Sequence, residues 1–265
     1  MRVSLCQTAG YPGDVPANLK LLEQFADRAA AQGARLLVLP ELFLTGYHLG
    51  EALLRLAEPA DGPSAQAVSR IARQSGLALL YGYPERDGAA VYNAALIVDA
   101  SGQPVANARK AHLWGPEEAR WFSAGSHLAL ARLEGMRVGL LICYDLEFPE
   151  AARALALAGA DLIAVPTALP EHFGRVAELL VPARAYENQV FVAYADRCGE
   201  EHGLSYAGLS RIVAPDGALL AGAGTQEALL TADVVPEAYT RSREQNPYVA
   251  QRRPALYAQP VRTGR

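Results

Sequence analysis

Several short runs of this chain have no polar face. Leu36-Leu37-Val38-Leu39 and Val138-Gly139-Leu140-Leu141-Ile142 are wholly apolar, and Asp161–Pro166 and Val190–Ala195 are nearly so. Successive side chains of a strand point to opposite faces, so a strand can be apolar throughout only if both of its faces are covered. Helical patterns fall between these runs. One starts from Asp14 or Asn18, puts Leu19, Leu22, Phe25, Ala26, Ala29 and Ala30 on one face, and ends at Gly33. Others are expected near Ser64–Gln74, after Phe148-Pro149-Glu150, and over Val176–Glu187. Further strands are expected at Val3–Gln7, Leu77–Gly82, Val91–Asp99, Val105–Lys110, Leu128–Leu133, Ser210–Val213, Ala218–Ala221 and Leu229–Val234. The second apolar run is extended to Met136–Ile142, and Leu36–Leu39 to Glu41. Residues His112–His127 read as an irregular loop. Alternating strands and helices with buried sheets specify a layered α/β fold. No repeat or linker-like shift divides residues 1–265, so one domain is expected, with the Pro/Arg-rich stretch from about 239 to 265 as an arm packed on a neighbour.

The net charge of −4 and pI near 5.8 offer no basic surface for nucleic acid. Cys6, Cys143 and Cys198 are too far apart for a disulfide framework or a metal-binding pair, which suggests a reducing, cytoplasmic setting with a free thiol. Gly10 and Pro12 come too early for a secretory leader, and nothing reads as a membrane span.

Chemistry concentrates where the apolar strands end. Cys143 follows one of them and precedes Pro149, a residue suited to a first helical position, so it stands at a strand-to-helix elbow. An elbow of this kind presents a thiol near backbone N–H groups; a buried structural cysteine is the alternative. Glu41 and Lys110 end two other strands. A cysteine nucleophile needs a base, and of the five histidines only His112 lies in a suggestive segment. A carboxylate in a dry pocket beside a thiol and an ammonium could take that part instead, because burial raises its pKa.

Leu39-Pro40-Glu41, Arg109-Lys110-Ala111-His112-Leu113 and Gly139–Glu150 (GLLICYDLEFPE) resemble, in order and spacing, the signatures of the nitrilase superfamily of carbon–nitrogen hydrolases. Ala183–Asp196 and Arg211–Gly217 are similar to that family's later blocks. The resemblance implies an α/β fold of four layers, an αββα sandwich, and a catalytic set of Glu41 as base, Lys110 as oxyanion-stabilising cation and Cys143 as nucleophile. It places a second oxyanion donor at the N–H of Tyr144 and a second active-site glutamate at Glu118, with Glu117 as its alternative. It also implies a homodimer or higher homo-oligomer, and a reaction that needs neither metal nor organic cofactor.

Position 147 bears on the substrate. Branches of the family that act on carboxylate-bearing amides or N-carbamoyl amino acids often carry arginine shortly after the Cys-x-Asp elbow, and this chain has Glu147. An acid there repels an anion and attracts an amine, unless it serves only the helix start. Thr45–Gly50, Tyr81–Arg86 and the elbow together look most like bacterial aliphatic amidases, including the 5-aminopentanamidase type. Tyr47 in the aromatic loop and Thr167 at a strand end join Tyr144 and Glu147 as candidate substrate contacts. The expected activity is hydrolysis of small aliphatic amides through a cysteine thioester. Hydrolysis of N-carbamoyl amines or nitriles by the same residues is the alternative, and a non-catalytic relative would have no reason to keep all three.

Overall fold

The computed structural model describes residues 1–259. The first half of the chain runs β1 (Arg2–Gln7), α1 (Val15–Ala31), β2 (Leu36–Val38), α2 (Ala52–Leu56), α3 (Pro63–Ser75), β3 (Ala78–Asp87), β4 (Ala90–Val98), β5 (Pro104–Arg109) and α4 (Gly115–Trp121). The second half runs β6 (Ala129–Leu133), β7 (Met136–Leu140), α5 (Pro149–Leu157), β8 (Leu162–Pro166), α6 (Val181–Asn188), β9 (Phe191–Ala195), the short pair β10 (Glu200–Glu201) and β11 (Leu204–Ser205), then β12 (Arg211–Val213), β13 (Leu219–Gly222) and β14 (Ala228–Asp233). Two six-stranded sheets result, ordered β14-β1-β2-β3-β4-β5 and β13-β12-β9-β8-β7-β6. β1, β2 and β3 are parallel, as are β7, β8 and β9, and antiparallel strands flank both sets.

Strand alternation sets the layers. Val3, Leu5, Leu36 and Val38 of one sheet face Val138, Leu140, Leu162 and Ala164 of the other in a shared core. The intervening Leu37 and Leu79 face outward and pack with Leu22, Phe25, Val68 and Ile71 of α1 and α3. Ile163 and Val192 do the same against Leu155, Val181 and Ala185 of α5 and α6. The architecture is thus an αββα sandwich, and each fully apolar strand is one that lies between two layers. Asp14 caps α1 through the Ala17 N–H at 2.9 Å, and Gly33 follows that helix at φ 75°.

The local departures from expectation have identifiable causes. β2 stops at Val38 rather than Glu41, because Pro40 has no N–H for the ladder and the chain turns over residues 41–45. Residues 115–121 of the expected loop form α4, whose seven residues are too few to establish a periodicity. The helix expected over 176–187 begins as a wide i→i+5 turn at Val176–Leu180 and becomes α-helical at Val181, where Pro182 withholds an N–H. From the arm, Tyr239 packs edge-to-face on Phe191 at 5.1 Å and Tyr248 lies 5.7 Å from Tyr186, both within the same chain. Residues 260–265 of the expected arm lie outside the described ones.

Candidate active site

Three strand ends converge. Glu41 follows β2, Lys110 follows β5, and Cys143 follows β7 after two extended residues, at the start of a single 3-10 turn (Cys143–Glu147) leading into α5. Cys143 has φ 47° and Leu42, next to Glu41, also has φ 47°. Left-handed backbone at a side chain with a Cβ is held only where its surroundings enforce it. The turn at Glu41 packs closely on β3: a Cβ on Gly82 would lie 2.3 Å from the Leu42 nitrogen and 2.7 Å from the Pro40 oxygen. Gly82 therefore lets the Glu41 turn lie directly on the strand.

Lys110 Nζ donates to Glu41 Oε1 at 2.7 Å and to Glu118 Oε1 at 2.6 Å, and Lys110 and Glu41 are fully buried. Asn93 Nδ2 donates to Glu41 Oε1 at 2.6 Å, while Glu41 Oε2 is buried with no partner. Glu118 accepts from the Tyr47 hydroxyl at 2.6 Å and, through its second oxygen, from the Trp114 N–H at 2.7 Å. The Glu117 carboxylate is instead 68% exposed, 4.0 Å from His48. Of the adjacent pair, Glu118 is the one that reaches Lys110.

Burial pushes the Glu41 carboxyl above its ordinary range; Lys110 opposes this and Glu118 adds to it. Burial would lower the Lys110 ammonium, but Glu41, Glu118 and Cys143 together hold its pKa above the usual lysine value. The Cys143 thiol is driven well up by burial and then by Glu41, against the opposing pull of Lys110 and a hydrogen bond from the Ala168 backbone. Both shifts favour a protonated thiol beside a charged ammonium.

Other residues hold these groups in place. Asp145 accepts from the N–H of Ile142 at 3.2 Å and of His112 at 2.8 Å, tying the cysteine turn to the segment after Lys110. Its Oδ1 also lies 2.8 Å from His112 Nδ1, and the His112 ring stacks on Phe148 at 3.9 Å, so this histidine is engaged away from the thiol. Arg184 of α6 donates to the carbonyls of Leu146 and Glu147 at 3.0 and 2.7 Å. Arg197, fully buried, donates to the carbonyls of Glu41, Leu42 and Ala9 at 3.1, 2.7 and 2.8 Å. Glu201 accepts from the N–H groups of Tyr47 and His48 and from the Tyr206 hydroxyl. Asn93, Asp145, Arg184, Arg197 and Glu201 all escaped the reading of the sequence. The one available signal was Asp196-Arg197, charges standing at the end of a nearly apolar strand, as Glu41 and Cys143 do.

A cavity of about 190 Å³ opens over the thiol, lined by Cys143, Tyr47, Trp114, Tyr144, Glu147, Leu169 and Phe173 among others. Tyr47, Tyr144 and Glu147 thus share the wall of the space beside the thiol. Glu147 is half-buried, and no described side chain forms a hydrogen bond or ion pair with its carboxylate. Burial raises its pKa, partly offset by Lys110 and Arg184. Thr167 requires a correction as a substrate contact. It is fully buried behind the wall, its hydroxyl donates to the Val165 carbonyl at 3.1 Å, and its neighbour Ala168 lines the cavity instead. A second, more apolar chamber of about 220 Å³ shares Tyr47 and Trp114 with this cavity. Larger clefts of about 330 and 380 Å³ elsewhere contain none of Glu41, Lys110 or Cys143. Among the described residues no cluster of three His, Cys, Asp or Glu could hold a metal ion, and no helix is long and apolar enough to cross a membrane.

Comparison with known proteins agrees with this geometry. The family described as carbon–nitrogen hydrolase matches residues 2–244. A "hydrolase in pqqF 5′region" of Pseudomonas protegens is 51% identical over 261 residues, 97% of this chain and 90% of the relative. An (R)-stereoselective amidase of Pseudomonas sp. is 36% identical over 255 residues, covering 96% and 92%. Among solved structures, a glutamate-to-glutamine mutant of the amidase from Nesterenkonia sp. AN1 superposes with a TM-score of 0.88 at 36% identity, covering 97% of this chain and 95% of that one. That structure shows covalent addition of the acetamide moiety of fluoroacetamide at its active-site cysteine.

Proposed function

The chain belongs to the carbon–nitrogen hydrolase family, in the amidase branch of the nitrilase superfamily, and from that premise we propose that it hydrolyses small aliphatic amides to acid and ammonia, favouring those with a distal amine. The observation that carries this reading is a fully buried Lys110 held between Glu41 and Glu118 beside the Cys143 thiol.

Each step follows from a group already placed. The unpartnered Oε2 of Glu41 takes the thiol proton, and the Cys143 thiolate adds to the amide carbonyl carbon. The carbonyl pair moves onto oxygen. An ammonium has three N–H donors, and the two glutamates occupy two of those of Lys110, which leaves one for this oxyanion. The Tyr144 N–H supplies a second donor. As the tetrahedral adduct collapses, Glu41 returns its proton to the departing nitrogen, ammonia leaves and a thioester remains. Glu41 then deprotonates water, which adds to the thioester, and the thiol leaves with its proton restored. Glu118 keeps Lys110 charged and aimed.

Glu147 supports the choice of substrate, because an unpaired, half-desolvated carboxylate in the cavity wall favours an ammonium over a carboxylate at the distal end. A 5-aminopentanamide-like molecule fits that chemistry. Ammonia release should therefore be measured over short aliphatic amides, ω-amino amides, ω-carboxy amides, carbamoyl amines and nitriles. A profile confined to nitriles or carbamoyl compounds would overturn the proposal.

We extend the proposal to the assembly and its setting. Leu157, Leu179 and Tyr186 remain exposed around α5 and α6 and suit a homodimer, for which sedimentation at micromolar concentration is the test. Three free, buried cysteines suit a reducing cytoplasm.

A further inference from the structure

The apolar chamber beside the reaction cavity has no part in the steps above. Leu53, Trp121, Phe122 and Leu204 wall it together with the rings of Tyr47 and Trp114, and His48 and Glu117 form a rim open to solvent. Tyr47 and Trp114 line both spaces, so the chamber and the cavity over Cys143 are neighbours across those two side chains. Glu118 also faces the chamber while its carboxylate lies 2.6 Å from Lys110 Nζ. The Tyr47 hydroxyl and Glu118 are already bonded to each other, so they offer a guest little unmet polarity. The surface left for a ligand inside the rim is mainly hydrocarbon and aromatic, and among its wall residues Trp121 carries a buried Nε1–H without a partner.

We propose that this chamber is a subsite of the catalytic centre that takes an uncharged aromatic or branched hydrocarbon group carried on the acyl part of the substrate. The inference rests on the amidase reading, and it adds a second determinant of specificity beside Glu147. The acyl side is assigned because the NH2 of a primary amide carries no carbon to bury. The size fits: an apolar cavity of roughly 150 Å³ admits benzene, so about 220 Å³ accommodates a phenyl ring on a short linker. Even one methylene in such a pocket changes selectivity by about tenfold or more.

The test has a kinetic and a binding arm. Ammonia release from 3-phenylpropanamide and from propanamide gives a ratio of kcat/KM, expected to be about ten or higher. Leu204→Trp, which fills the chamber from β11, should cut that ratio about tenfold, and Leu204→Ala should move the preference towards a naphthyl analogue. The binding arm uses the chain's two tryptophans, Trp114 and Trp121, both of which line the chamber. In Cys143→Ala, 3-phenylpropanamide should change indole emission saturably and propanamide should not. A wild-type ratio near one, or a ratio unmoved in both Leu204 variants, overturns the subsite. Ammonia from propanamide without an emission response to the phenyl amide also overturns it. A saturable response with no ammonia from any amide would leave the subsite standing and overturn the amidase reading.

Discussion

Replacing Glu118 with glutamine removes one negative charge from the buried group while keeping nearly the same shape. The glutamine oxygen can still accept from Lys110, but its NH2 then confronts the Trp114 N–H that now donates to Oε2 at 2.7 Å. Two donors face each other, and the loop carrying Trp114 must shift or the side chain must turn away from Lys110. A hydrogen bond to a charged group contributes about 1.5–3 kcal/mol. At 1.36 kcal/mol per tenfold, its loss corresponds to roughly a tenfold to 150-fold fall in kcat/KM. The pH profile gives a separate, signed readout. Glu118 raises the Glu41 pKa, so removing its charge lowers it, and Glu41 then becomes a base at more acidic pH. The acid limb of kcat/KM should move to lower pH while the plateau falls. The assay is ammonia release from propanamide in wild type and Glu118→Gln across the acidic range. A wild-type plateau, or an acid limb displaced upward, would refute the assignment of Glu118 as the group that holds Lys110 and burdens Glu41.

Cys143→Ala should abolish turnover, whereas Cys6→Ala and Cys198→Ala should leave it largely intact, and mapping of an inactivating thiol reagent checks which sulfur reacts. Glu147→Arg should shrink or reverse a preference for 5-aminopentanamide over a carboxylate-ended amide of equal length, a preference of roughly tenfold to a hundredfold if the charge contact contributes about 1.5–3 kcal/mol; better wild-type activity on the carboxylate would defeat the idea. Arg197→Met leaves three carbonyls and Glu201 without their cation, so a loss of about 3–5 kcal/mol of stability is expected in chemical denaturation. A midpoint within error of wild type would show that the Glu41 turn does not depend on this arginine.

The layers could be read from the sequence because the two-sided apolar strands leave few other arrangements. Glu41 and Cys143 were visible for a related reason: ionisable residues just beyond such strands must enter a shared crevice or reach solvent, whereas Lys110 follows β5, a partly exposed edge strand, and was legible through its Arg109–Leu113 motif. Choosing Glu118 over Glu117 required the backbone, since α4 turns one carboxylate onto Lys110 and the other outward. Arg197 was hidden by distance along the chain; it binds the Glu41 carbonyl from 156 positions away. Asn93 was hidden because its side chain appears as one polar position in a strand until β4 is paired with β5. Thr167 misled for the opposite reason. It follows an apolar strand as Glu41 and Cys143 do, yet its hydroxyl is satisfied by a nearby carbonyl and it does not line the cavity.

Charge balance explains why a glutamate, and not the engaged His112, suits the role of base. With Glu41 and Glu118 ionised, Lys110 protonated and the thiol neutral, the buried group carries one net negative charge. Sending the thiol proton to solvent would leave two negative charges in a dry site, which burial and Glu41 both oppose, as the raised Cys143 pKa reflects. Moving that proton to Glu41 keeps the total unchanged, and the negative charge passes only from oxygen to sulfur. When sulfur adds to the amide, the charge moves to the carbonyl oxygen beside Lys110, again without change in the total. Every step through the thioester is then a relocation of one charge around a fixed ammonium. An environment that raises the pKa of both the thiol and Glu41 obstructs exchange with solvent, but it does not obstruct transfer between them. The same burial that holds the proton on the thiol therefore leaves the transfer to Glu41 open, because that transfer brings no new charge into the site.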